Sequence, residues 1–100
     1  MRKIENGMCA AVKEHQNWHL DNTEVKVECD NVKVYLYGNL IYKKQGGVAS
    51  FTLAGWNSKT TRSRLRALGV SVRCRDYTPQ MEVNGACVDI RSNEWYNVEG

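Results

Sequence analysis

The sequence predicts an α+β fold: a mainly antiparallel sheet, built as a meander, with an N-terminal helix and a short basic helix packed on it. Three observations lead there. Several short runs alternate apolar with polar residues, the period of a half-buried strand. Helical spacing is confined to two stretches, around residues 8 to 18 and 60 to 68. The connections between the strand-like runs are tight, which leaves no room for the crossovers that parallel strands need.

Taken in order, Met8, Ala11, Val12, His15 and Trp18 or His19 recur at helical intervals, with Asn6 and Gly7 as the expected start and the run from Asp21 to Thr23 as the closing turn. On such a helix His15 and His19 share one face, as metal ligands do, with Cys9 a turn and a half earlier. A metalloprotease motif requires glutamate directly after the first histidine, and Gln16 stands there. Core or surface histidines are the plainer reading.

TEVKVE (Thr23 to Glu28) and NVKVYLY (Asn31 to Tyr37) form a hairpin about the turn residues Cys29, Asp30 and Asn31. Val25, Val27, Val32, Val34 and Leu36 should face the core, and Lys33, Tyr35 and Tyr37 the opposite side. Gly38 and Asn39 make a bend or bulge, Leu40 to Tyr42 resumes the strand, KKQGG (Lys43 to Gly47) turns the chain, and Val48 to Leu53 returns it. The tract VYLYGNL resembles the first signature of RNA-recognition motifs. The next glycine-aromatic strand comes too soon for that fold's intervening helix, so the tyrosines are read as cross-strand packing partners, with a stacking surface at Tyr35 and Tyr37 as the alternative.

The chain then reaches its organising stretch, GWNSKTTRSRLRALG. Gly55 permits a sharp departure from the strand, Thr60 or Thr61 is placed to cap a helix, and Gly69 to close it. Leu65 and Leu68 share a face with Thr61. Arg62 and Arg66 lie one turn apart on another, and Arg64 stands at the apolar edge, where a structural role competes with a surface one. Two turns of helix are marginal alone, so docking must hold them, with Trp56 as the expected anchor. Beyond it, VSVRCR alternates Val70, Val72 and Cys74 with Ser71, Arg73 and Arg75. Pro79 breaks the chain, and Met81 to Val83 and Ala86 to Ile90 flank Asn84-Gly85, a hairpin signal. The tail EWYNVEG adds an edge strand or covers the core.

The 100 residues fit one domain, 1–100, and the apolar share of 42% with one proline suits a folded globular chain. No run approaches a membrane span, and MRKIENGMCA lacks the apolar core of a secretory signal, so a cytoplasmic location is expected. The four cysteines contain no Cys-x-x-Cys pair and are read as free, buried thiols, disulfides being the alternative.

Net charge is +3, but its placement says more: residues 31 to 75 hold nine cations and no acid, while the flanks hold five cations and eleven acids. Such a block attracts polyanions or an acidic protein surface unless the acids at both ends balance it. The candidate partner-binding residues are Lys59, Arg62, Arg64, Arg66, Arg73 and Arg75, with Lys43 and Lys44, and Arg62 and Arg66 of the helix are expected to form one binding face with Arg73 and Arg75 of the following strand. No phosphate loop, nucleophile elbow or paired-carboxylate spacing is present, so catalysis and cofactors are not expected.

Gly55-Trp56, a polar turn, Thr60-Thr61, a basic residue, then Arg64-Leu65, with Gly38-Asn39 upstream, resembles small bacteriophage-encoded proteins over roughly residues 34 to 69. Many of these carry asparagine after the arginine-leucine pair, where this chain has Arg66 and a more basic surface. The resemblance implies phage accessory functions in the host cytoplasm, inhibition of host defence such as CRISPR-Cas among them. The expected partner is a host protein or nucleoprotein complex, the alternative being DNA or RNA bound directly. The motif residues Gly55, Trp56, Thr60, Thr61 and Leu65 are expected to be structural.

Overall fold

A computed structural model describes residues 3–98 and gives an α+β fold in which every strand pair is antiparallel. The elements run α1 (Lys3–Glu14), β1 (Trp18–Leu20), β2 (Thr23–Glu28), β3 (Asn31–Leu36), β4 (Asn39–Gln45), β5 (Val48–Phe51), α2 (Lys59–Ala67), β6 (Val72–Arg75), β7 (Thr78–Val83), β8 (Ala86–Asp89) and β9 (Tyr96–Asn97). Strands β1 to β5 form a meander that β9 extends, and β6, β7 and β8 form a second, three-stranded sheet. The last two residues of the tail lie outside the described residues.

Helix α1 begins and ends earlier than its apolar spacing predicts. Asn6 and Gly7 lie within it because the indole of Trp18 packs against its backbone: a Cβ on Gly7 would stand 2.7 Å from Trp18 Cζ2. The helix ends at His15, whose φ of +53° lets Gln16 N–H reach Ala11 O at 3.0 Å. Trp18 and His19 therefore belong to β1, and the two histidines do not share a helical face. Among the described residues no group of three His, Cys, Asp or Glu is placed to hold a metal ion.

The β2–β3 hairpin pairs Val25 with Val34 and Val27 with Val32. Val25, Val32, Val34 and Leu36 are buried as expected, whereas Val27 is only half-buried. A register shift after Val34 sets Tyr35 opposite Leu40 and leaves Ile41 as the extra residue, buried at 1% exposure. Two-residue turns with both φ values positive close β3–β4 at Tyr37-Gly38, β4–β5 at Gly46-Gly47, β6–β7 at Asp76-Tyr77 and β7–β8 at Asn84-Gly85. This mirror-image turn matches the strands' twist.

Pro79 does not break the chain. It lies inside β7 opposite Cys74, and its carbonyl accepts from Ile90 N–H at 2.9 Å. The missing proline N–H falls where the β7–β8 ladder ends, so no central rung is lost.

The core joins α1 and α2 to both sheets through Met8, Val34, Phe51, Leu65, Val72 and Ile90. Across it runs a buried ion pair. Arg64 of α2 meets Glu5 of α1 at 2.8 Å, with side-chain exposures of 4% and 5%. The guanidinium also donates to Thr23 Oγ1 at 3.1 Å, and Ser63 donates to the same carboxylate. All four cysteines are free, but only Cys9 is even half-buried, its thiol donating to Ala67 O at 3.1 Å. The alternation that put Cys74 on an inner face fails because β6 is covered only at Val72. Among the described residues no helix is long and apolar enough to cross a membrane.

Candidate functional site

Helix α2 is capped by Ser58, two or three residues before the threonines expected for that role. Its hydroxyl accepts from Thr61 N–H at 3.1 Å, and Lys59 thereby joins the helix. Thr61, Arg64 and Leu65 turn inward, buried together. At the other end Gly69 takes φ +95°, its N–H bonding Arg66 O and that of Val70 bonding Leu65 O, both at 3.0 Å. Val70 and Leu65 are both buried beside this closure, the apolar contact that such a helix end favours.

Trp56 does not anchor this helix. Leu53 to Trp56 is a tight turn, with Trp56 N–H bonded to Leu53 O at 2.8 Å and φ values of +53° at Ala54 and +82° at Gly55. The reversal throws the indole outward, leaving Trp56 65% exposed. Leu65, Thr61 and the Arg64–Glu5 pair hold the helix instead. Arg64, one of the candidate binding residues, is thereby removed from the surface: at 3% exposure its charge is spent inside the protein.

The other helical cations converge with β6. Lys59, Arg62 and Arg66, with Ser63, face Arg73 and Cys74 across a shallow cleft of about 360 Å³. Arg66 and Arg73 also border an adjoining hollow with Gly69, Val70, Ser71 and Val72. Asn57 fixes the walls. It receives Arg62 through its own side chain and at its carbonyl (3.2 Å), and donates to Tyr77 O at 3.4 Å. No carboxylate lines the cleft, and among the described residues its four cations make no ion pair. Like charges held together in this way concentrate a positive field.

Arg75 stands at the far end of β6, exposed opposite Thr78, and does not line the cleft. Lys43 and Lys44 belong to β4, where Lys43 Nζ sits 4.5 Å from the centre of the Trp95 ring. Beside α2 lies a second cleft, of about 490 Å³, that sequence reasoning missed. Leu36, Ile41 and Leu53 are buried beneath it, and Tyr37 (71% exposed) and Trp56 stand at its mouth. Gly55 was its one trace in the sequence; the positive φ at Ala54, which completes the turn and aims Trp56 outward, is not legible there.

The chain matches, over residues 1–99, the family described as Kyanoviridae Gp96 protein, and it belongs to that family. No curated protein and no solved structure matches it.

Proposed function

We propose that this member of the Kyanoviridae Gp96 family is a non-catalytic phage accessory protein that binds a host protein or nucleoprotein in the host cytoplasm. Interference with a host defence complex, CRISPR-Cas assemblies included, is the activity this reading favours. The observation that carries it is the convergence of Lys59, Arg62, Arg66 and Arg73 in one cleft with no carboxylate in its lining. Complementary charge steers association and fixes orientation. The neighbouring apolar cleft supplies what charge alone does not, because tryptophan and tyrosine, exposed here at its mouth, are enriched in interface hot spots. An acidic surface with one apolar side chain seated between Tyr37 and Trp56 fits both.

The test is affinity capture from host lysate with and without nuclease, followed by binding kinetics on each recovered partner. Lys59→Ala/Arg66→Ala/Arg73→Ala is the variant of choice, since Arg62 also braces Asn57. The expected result is a nuclease-resistant partner whose association slows in the variant while dissociation changes less. A folded variant that binds every recovered partner with unchanged rate and affinity would overturn the assignment. Capture that disappears with nuclease and is also lost in the cleft variant would replace it with direct nucleic-acid binding by the cleft.

A further inference from the structure

The six-stranded sheet has a second face, and its side chains form a pattern unrelated to the cleft. Met8, Val25, Val34 and Phe51 belong to the core on one side. Alternation sends Lys26, Lys33 and Lys43 to the other, and strand register sets them directly opposite one another, Lys26 against Lys33 and Lys33 against Lys43. The row continues through Ser50 to Asn97, whose side chains are hydrogen-bonded at 3.1 Å. Three cations thus stand side by side over about 10 Å, two inter-strand spacings.

Like charges directly opposite in a sheet are destabilising. Each outer member of the row is instead placed on an aromatic ring. Lys26 Nζ lies 5.4 Å from the centre of Tyr35 and Lys43 Nζ 4.5 Å from that of Trp95. Trp95 remains 40% exposed, so its ring is open to a further partner. Glu24 and Glu28 share this face on β2 and bound the row on that side, directing an anionic chain from Lys26 across β3 and β4 toward Trp95.

From this juxtaposition we infer that the outer sheet face binds single-stranded nucleic acid, phosphates on Lys26, Lys33 and Lys43 and bases stacked on Trp95 and Tyr35. Regular cations interleaved with aromatic rings on an open surface are what sequence-tolerant strand binding uses. Duplexes keep their bases stacked on one another and leave these rings without a partner. The inference concerns a different surface from the cleft and does not depend on it.

Fluorescence anisotropy with labelled oligo-dT and oligo-rU of about 12 nucleotides, titrated against salt, tests it. Three phosphate contacts should give a log–log salt slope near −2, at about 0.7 per contact. Lys26→Gln/Lys33→Gln/Lys43→Gln should bind about tenfold or more weakly and flatten that slope by about 2. Trp95→Ala should weaken binding about fivefold or more and abolish the oligonucleotide-dependent quenching of indole fluorescence. The cleft variant Lys59→Ala/Arg66→Ala/Arg73→Ala should bind the oligonucleotides as the unaltered protein does, so the two surfaces are judged separately. Circular dichroism establishes that each variant is folded, and Lys33→Gln alone, with about a third of the slope change, serves if the triple variant is not. Absence of binding by the unaltered protein, equal affinity for a duplex of the same sequence, or an unchanged slope in folded lysine variants would each overturn the inference.

Discussion

Replacing Arg64 with alanine removes one side of the protein's buried ion pair and is the sharpest test of how its helices are joined. The side chain bonds Glu5 at 2.8 Å, Thr23 at 3.1 Å and Asn22 at 3.5 Å, from an almost fully buried position. Deleting it removes the Arg64 charge and its hydrogen bonds from beside the buried Glu5 carboxylate, and breaking a buried pair in this way costs about 3–5 kcal/mol. A domain of this size has a total stability of about 5–15 kcal/mol. At roughly 4–8 °C per kcal/mol, the melting temperature should fall by about 12 °C or more. The pair itself is worth far less than its breakage, since two charges had to be desolvated to form it. Glu5→Leu/Arg64→Met should therefore lie much closer to the unaltered protein than the sum of the single changes. Chemical denaturation of the unaltered protein, Glu5→Leu, Arg64→Met and the double variant closes the cycle. A loss below about 1 kcal/mol for Arg64→Ala, or additivity within about 0.5 kcal/mol, would refute the reasoning.

Three further outcomes follow from burial. Trp56→Ala should cost less than about 1 kcal/mol in denaturation, as surface substitutions do, while weakening capture of any partner seated in the apolar cleft. A loss of 3 kcal/mol or more would mean that the indole is packed after all. Burial, with a contribution from the Glu5 carboxylate, pushes the Cys9 thiol up, so alkylation of the folded protein should modify Cys29, Cys74 and Cys87 quickly and Cys9 slowly. Because its folded pKa lies above the unfolded one, the stability Cys9 contributes is complete below about pH 8.5 and declines as pH rises through the folded value. Cys9→Ala should flatten that alkaline decline, and an identical pH profile in the variant would count against it.

The sequence by itself determined most element types, because its signals were local, though not β1, where Trp18 and His19 read as helix, nor the start of β7 at Pro79. Alternation marked β2 and β3 at Thr23–Glu28 and Asn31–Leu36, and glycines marked two of the mirror-image turns. The same turn at Asp76-Tyr77 was hidden, since tyrosine at φ +66° is unusual and only the pairing of β6 with β7 holds it there. Charge segregation along α2 and β6 likewise pointed to Arg62, Arg66, Arg73 and Arg75 as one face, but not to Lys59 joining the cleft or to Arg75 standing outside it. That depended on how α2 sits against the second sheet.

What tertiary structure alone decided were the matters that depend on residues far apart in the chain. Arg64 looked like its neighbours until Glu5, 59 positions away, met it in the core. Gly7 looked like a helix boundary until Trp18 folded back over it. Trp56 looked like an anchor because a large apolar side chain gains by burial, yet the turn at Ala54-Gly55 aims it at solvent. The lysine row exists only in the register of β2, β3 and β4, where residues 7 and 10 positions apart become neighbours. Periodicity reports which side of its own element a residue occupies. What stands opposite that side is set by packing, where burial and charge pairing among distant segments outweigh local preference.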